Sequence, residues 1–485
     1  MKYDITVMKH GNEILSVNNF GFEKNKINFI FGESGIGKSL LSKIIFGIGD
    51  APDLKITIAG MDYPVYKKTD ACLENRKNGF YVFQEPSTHL NPLKTLHEQF
   101  NEGDLNVSAG EQDIVAKLFP DRNYTEFNER IGSVYPKTYR PSGGEKQRIL
   151  LLMAFKKIVK YMHDPGESNG LFIFDEPTGS LDNQLRNRFT ELLYILYRRK
   201  KFTAVVITHD YSIISFLNTQ TGLNHNETDF FELTRKQGMI DYSGFRESDY
   251  LRWLNTLEKP GNPAGNETLR FRGGMNVWGK PLQIIKEGSR SDLVIKKGEI
   301  AFLKAPSGTG KTTVAKIITG FIKADSFEFT ISGASFSERD KISKWRNNVW
   351  GKKAVMVFQN ADESLNQNAY FKDALGGIKS DKKPEELFPL LFTEADIERL
   401  YNKRIRQLSG GQKQRLNLIR AFAAQADLYI LDEPFSSLDF NSVNLVVSLI
   451  FSKLKNGASV LLISHNEEIV EKIVPAANIY HLTTV

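Results

Sequence analysis

One cysteine, Cys72, stands in 485 residues, so the chain can form no internal disulfide and no cysteine-ligated metal cluster. Long apolar runs are missing too. Stretches such as Leu445–Phe451 and Ala204–Thr208 fall well short of the ~20 residues a membrane-spanning helix needs, and no segment is expected to cross a bilayer. The opening MKYDITVMKH lacks the apolar stretch of a secretory signal, which makes the cytoplasm the expected place of work. There is little excess of charge of one sign. With 64 Lys and Arg against 57 Asp and Glu, the net charge of +7 reads as a solvated surface, and no nucleic-acid partner is expected from it.

What is present is a motif set that occurs twice in the same order. The first copy runs GESGIGKS (Gly32–Ser39), FQEP around Gln84, PSGGEKQR (Pro141–Arg148), LFIFDEP with Asp175 and Glu176, SLD (Ser180–Asp182) and VVITHD with His209. The second runs APSGTGKTT (Ala305–Thr313), VFQN around Gln359, LSGGQKQR (Leu408–Arg415), LYILDEP with Asp432 and Glu433, SLD (Ser437–Asp439) and LLISH with His465. A period of roughly 260 residues marks a duplicated domain, since solenoid repeats are far shorter.

Within each copy, short apolar runs alternate with segments of helical periodicity. In the first, Lys26–Phe31 precedes the Gly-rich loop and SLLSKIIFGI follows it, giving strand, loop, helix. Residues 88–162 read as a largely helical insertion, followed by buried strands at Leu171–Asp175 and Thr203–Thr208. The second copy repeats the order with strands at Glu299–Lys304, Leu428–Asp432 and Ser459–Ser464. The expected fold is therefore α/β: two P-loop NTPase domains, each a mainly parallel sheet core with a helical subdomain. KPGNPAGN (Lys259–Asn266) has the composition of a linker, and the expected division is 1–235, linker 236–269, and 270–485.

GxxxxGK[ST] between a strand and a helix is a phosphate cradle, with backbone N–H groups and the helix N-terminus facing the anion and the Lys reaching the outer phosphates. It assigns nucleotide binding to Gly32, Glu33, Ser34, Gly35, Ile36, Gly37, Lys38 and Ser39, and to Ala305, Pro306, Ser307, Gly308, Thr309, Gly310, Lys311, Thr312 and Thr313. The second loop departs from the pattern at Ala305, where a methyl is tolerable if φ is negative. Ser39 and Thr312 are expected to offer hydroxyls to Mg²⁺. Asp175 and Asp432 end apolar strands beside the loops and are expected to hold the same ion, while Glu176 and Glu433 are placed to orient and deprotonate water.

These motifs, above all SGG followed by QR ahead of a DEP strand, resemble a tandem pair of ATP-binding cassette (ABC) ATPase domains covering nearly the whole chain. The resemblance implies that Ser142, Gly143 and Gly144, and likewise Ser409, Gly410, Gly411 and Gln412, bind the γ-phosphate of ATP held on the opposite domain. The chain would then be its own pseudo-dimer with two composite sites. It also implies that Gln84 and Gln359 reach the metal and the attacking water, and that His209 and His465 contact the γ-phosphate. An adenine-stacking aromatic is suggested only in the second copy, by Trp278.

FQEPSTHLNPLKTLHEQF and FQNADESLNQNAYFKDAL, with GESGIGKS and Tyr135-Pro136, resemble the oligopeptide, dipeptide and nickel importer branch. That branch implies a transport-coupled ATPase using ATP and Mg²⁺, peripheral on the inner face of the cell membrane, partnered by two permease subunits and a solute-binding protein. The competing expectation is a soluble tandem ABC ATPase working on a ribosome, nucleic acid or a metalloenzyme under maturation. About a hundred residues between P-loop and signature leave no room for the coiled-coil arm of a chromosome-organising ATPase. Ala305 and PSGGE both fall on the composite site built on the second P-loop, so weaker ATP use is expected there.

Overall fold

The computed structural model divides into two compact units, the first ending at Glu247 and the second beginning at Ser248. It describes residues 2–120, 122–132, 141–163, 170–179, 183–220, 224–236, 239–261, 265–306, 308–380 and 382–484.

In the first unit the strands Phe80–Val82, Leu171–Asp175, Thr203–Ile207, Ile27–Gly32 and Thr228–Lys236 lie side by side, all parallel, and Met239–Gly244 closes the edge antiparallel. Ile27–Gly32, Leu171–Asp175 and Thr203–Ile207 are buried at every position. Unbroken apolar runs are what a parallel sheet covered on both faces requires. A second, antiparallel sheet is ordered Asn12–Gly21, Lys2–Lys9, Leu54–Ile58, Met61–Asp62. Its inward residues Ile5, Val7, Leu15 and Val17 share one core with Ile173 and Ile207 of the parallel sheet and with Leu41 and Ile44 of the helix Lys38–Phe46. That core holds the P-loop between two sheets.

The helical insertion comprises Leu96–Phe100, Glu111–Leu118, Tyr124–Gly132 and Gly143–His163. A buried ion pair ties it together. Lys156 Nζ lies 2.5 Å from Glu111 Oε2, and Tyr124 OH donates to the other oxygen at 3.0 Å, so neither charge is left without a partner in the interior.

The second unit repeats the plan. Ala354–Val357, Leu428–Asp432, Ser459–Ile463, Ile300–Lys304 and Ile479–Thr484 are parallel neighbours, with Lys280–Lys286 antiparallel at the edge and paired in turn to Gly274–Val277. Leu293–Lys296, Glu267–Phe271, Glu328–Ile331 and Ala334–Ser337 form its antiparallel sheet.

Within 236–269, expected as a linker, most of the described residues carry regular structure. Met239–Gly244 completes the first sheet, helix Glu247–Thr256 follows, and Glu267–Phe271 belongs to the second unit's antiparallel sheet. The helix buries Tyr250 and Leu254, Tyr250 OH donates to Glu468 at 2.8 Å, and the Trp253 ring meets Phe440 edge-on at 5.1 Å. The polar, Pro/Gly-rich composition that suggested a linker is confined to the few residues between that helix and the next strand. Among the described residues no helix is long and apolar enough to cross a membrane.

Candidate functional site

Each P-loop joins a buried strand to a helix whose N-cap is a left-handed glycine, Gly37 at φ 115° and Gly310 at φ 112°. In the first copy the chain enters the loop through Gly32 at φ 136°, where a Cβ would come within 2.4 Å of the Leu233 carbonyl oxygen, so only glycine fits. Ala305 at the matching point of the second loop is not among the positive-φ residues, and its methyl is accommodated. Both loop lysines are folded inward. Lys38 Nζ donates to Gly32 O at 2.5 Å and Lys311 Nζ to Ala305 O at 2.6 Å.

The expected metal-binding residues meet in both copies. Ser39 Oγ donates to Asp175 at 2.8 Å, and Thr312 Oγ1 donates to Asp432 at 2.6 Å. Both aspartates are 1% exposed at the C-terminal ends of their strands, and burial pushes both carboxyls up, that of Asp432 to about 6. One difference was not foreseen. Tyr81 OH donates to the second oxygen of Asp175 at 3.1 Å, whereas Met356 stands at the matching strand position of the second unit and has no donor to offer. Asp432 Oδ1 is accordingly buried without a hydrogen-bond partner.

The neighbouring glutamates both adopt left-handed backbone, Glu176 at φ 48° and Glu433 at φ 51°, a conformation rare for a side chain of this size. Their N–H groups donate across the sheet to Ile207 O at 2.9 Å and Ile463 O at 2.8 Å. Their carboxylates are held differently. His209 Nδ1 lies 2.9 Å from Glu176, and although burial pushes the Glu176 carboxyl up, the charge and hydrogen bond of His209, with Lys38, outweigh it and hold the group below the usual range. The Glu176 charge in turn raises His209 against its own burial. Glu433 instead accepts the backbone N–H of His465 at 3.0 Å and the Ser464 hydroxyl at 3.4 Å, with His465 Nε2 at 3.5 Å. Burial prevails there and pushes its carboxyl up to about 7.

The two signature segments cap their helices alike. Ser409 accepts Gln412 N–H at 3.3 Å while Ser409 N–H donates to Gln412 Oε1 at 3.0 Å, and Ser142 and Glu145 exchange the same two bonds at 3.3 and 3.0 Å. The extra charge of Glu145 is met by Arg122 at 2.7 Å and Arg130 at 3.3 Å. Gln84 and Gln359 are exposed, each two residues beyond a strand end, at Val82 and Val357. Ser307, Ser180–Asp182 and Tyr135-Pro136 lie outside the described residues.

Trp278 sits, 70% exposed, in a hairpin turn with Gly279, at φ 51° and 76°. The first unit has the same turn at His10-Gly11, φ 49° and 80°. The sequence names no ring in the first copy to match Trp278; the repeated X-Gly turn between two strands ahead of each P-loop puts His10 at the matching position.

Comparison with known proteins agrees with the duplicated layout. The sequence family described as "ABC transporter" matches residues 15–179 and again 289–436. The glutathione import ATP-binding protein GsiA of Escherichia coli O157:H7 is 23% identical over 527 residues, covering 97% of this chain and 82% of that protein. The same protein of Shigella dysenteriae matches to the same extent. Among solved structures, "RNase-L Inhibitor" superimposes with a TM-score of 0.59 at 18% identity, covering 98% of this chain and 89% of that one. An archaeal ribosome recycling factor, aABCE1, solved with the ribosomal stalk protein aP1, gives 0.58 at 18% identity and the same coverage. These two show a shared fold.

Proposed function

The chain belongs to the ABC transporter family, and from that membership we propose that it is the ATP-hydrolysing subunit that energises the import of a peptide or another small solute. The observation that carries the reading is the constellation found twice: a P-loop hydroxyl bonded to the strand-end aspartate, with a buried glutamate and a histidine beside it. The GsiA relatives, import ATPases matched along 97% of this chain, support transport over other uses of the fold.

In this reading the P-loop amides and helix N-termini hold the phosphates, and Lys38 and Lys311 leave their backbone carbonyls to meet the outer oxygens. Glu176, kept ionised by His209, and Glu433, with a carboxyl near neutrality, are the proton acceptors for the attacking water. Ser142 and Ser409, with the glycines that follow them, offer helix N-termini to the γ-phosphate, and the family resemblance implies that each serves the ATP of the other copy. His10 and Trp278 offer their rings to the base.

The residues present fit Mg²⁺. Asp432 Oδ1 is a buried acceptor in want of a cation or donor, and Thr312 and Ser39 supply the hydroxyls. Among the described residues no group of three or more His, Cys, Asp or Glu could hold an ion unaided. That suits a metal whose remaining ligands come from nucleotide and water. When bound, it neutralises charge on the transferred phosphoryl group.

Partner docking is proposed beside the glutamine loops. In the second unit a groove of about 410 Å³ opens next to Gln359, walled by Phe321, Trp350 and Phe358. Phe321 is 53% exposed and stacks on Trp350 at 5.7 Å. An exposed aromatic wall suits an apolar helix of a permease subunit. Two permeases and a solute-binding protein on the outer side complete the proposed importer, with this chain on the cytoplasmic face.

Affinity purification from detergent-solubilised membranes and from cytosol, in parallel, tests the reading. Recovery with polytopic subunits, and ATP turnover raised by them, is the expected outcome. Recovery only with ribosomes or a soluble enzyme would replace the importer with the soluble tandem ATPase.

A further inference from the structure

The two copies differ around the residue after the histidine. In the first unit Asp210 follows His209, and its carboxylate accepts Arg186 Nη1 at 2.7 Å and the Ser212 N–H at 3.0 Å; the Ser212 hydroxyl bonds to both partners. Asp210 N–H donates to Thr208 Oγ1 at 3.0 Å, so the residues on either side of His209 are pinned to each other. Arg186 is 8% exposed on helix Asn183–Arg199, and its Nε and Nη2 are both taken by Asn187 Oδ1 at 3.1 and 2.8 Å. A guanidinium engaged along its whole fork is a rigid post.

The second unit has no such post. Four residues beyond the Asp of SLD, where the first copy has Arg186, it has Val443, and it has Asn466 in place of Asp210 and Glu468 in place of Ser212. Asn466 keeps the bond from its N–H to Ser464 Oγ at 3.0 Å, but its side chain caps the helix Glu467–Ile473 by accepting Ile469 N–H at 3.4 Å. The histidines follow suit: His209 turns Nδ1 to Glu176 at 2.9 Å, whereas His465 meets Glu433 through its backbone N–H, with Nε2 at 3.5 Å.

We infer that Arg186 is a positioning residue for the first ATPase centre: acting through Asp210, it fixes the His209 loop so that Nδ1 engages Glu176 and Nε2 is left for the γ-phosphate. The inference rests on the ATPase reading above and deepens it. The second centre works without this device, so the two centres differ in what their histidines require.

The test uses the full chain carrying Glu433→Gln, so that turnover reports the first centre. Arg186→Val with Asp210→Asn copies the second unit and strands no charge. ATP binding is expected within about twofold of the parent and kcat reduced about tenfold or more, since small misplacements near the reacting atoms are costly. Arg186→Lys, which keeps a cation opposite Asp210, should recover part of kcat. In a His209→Ala background the double substitution should have no further effect on kcat, because residues that act as one unit are not additive. An unchanged kcat in a variant that melts with the parent overturns the inference. So does an additive loss in the His209→Ala background, which would mark a general structural role even if the double variant melts early. Failure of the ATPase reading looks different: wild type and the Glu433→Gln parent would then show no turnover at all.

Discussion

At Glu176 the neighbouring cation wins over burial, and at Glu433 burial wins, which gives homologous side chains opposite linkage to pH. A carboxyl raised from 4.5 to about 7 contributes stability that is complete below its unfolded pKa and is lost as pH rises through 7. Glu433→Gln should therefore stabilise the nucleotide- and metal-free protein progressively between pH 4.5 and 8, by on the order of 2–3 kcal/mol at the upper end. Glu176→Gln should do the reverse. Its parent carboxylate is depressed, so it contributes stability above its unfolded pKa that is lost as pH falls, and the variant should be the less stable one at pH 8. Urea unfolding of both variants at pH 5 and 8 checks the two signs; shifts of the same sign would refute the assignment. Tyr81→Phe belongs to the same scale. It removes the second donor to buried Asp175 and leaves that oxygen as Asp432 Oδ1 already is, at an expected cost of about 1–2 kcal/mol without nucleotide, read from the same urea curves.

At the scale of elements, the helix Gly143–His163 starts at a capping box in which Glu145 does the work that Gln412 does for Gly410–Ala423. The Glu/Gln difference that looked like a defect in the first signature is thus geometrically neutral, because the box needs a carbonyl-type oxygen at that reach and either residue supplies it. Glu145→Gln should cost under ~1 kcal/mol, losing only the partly exposed pairs with Arg122 and Arg130. Glu145→Ala should cost more, because the cap and the pairs go together, and equal thermal shifts for the two would refute the box. The motifs that mark element ends were legible in the sequence for the same reason: a P-loop, a strand-end Asp-Glu and an N-capping Ser are local chemistry. The antiparallel sheets were not. Lys2–Lys9 and Asn12–Gly21 are mixed in polarity, and their inward residues become apolar core only once Leu54–Ile58 pairs beside them. The Tyr81–Asp175 bond was illegible for a related reason, since it joins adjacent parallel strands far apart in sequence, and the network on Arg186 joins a helix to a loop.

At the scale of the whole molecule, two hydrophobic clusters among the described residues each lie within one unit. One gathers Ile5, Phe20, Leu41 and Ile173, the other Leu269, Phe302's neighbours Ala301 and Leu303, Val314 and Ile430, and each has its own P-loop helix inside it. Because neither cluster takes a residue from the other unit, heat should melt the nucleotide-free chain in two calorimetric transitions rather than one. A ligand that binds only folded protein stabilises by about 2.7 kcal/mol at a hundredfold excess over its Kd. ATP with Mg²⁺ should therefore raise both transitions in a Glu176→Gln, Glu433→Gln chain, where the nucleotide persists. Lys38→Ala should abolish the shift of one transition and Lys311→Ala that of the other. A lysine variant that leaves every ATP shift intact would show that one half alone binds nucleotide, and the duplicated motif set would then describe ancestry instead of two working centres.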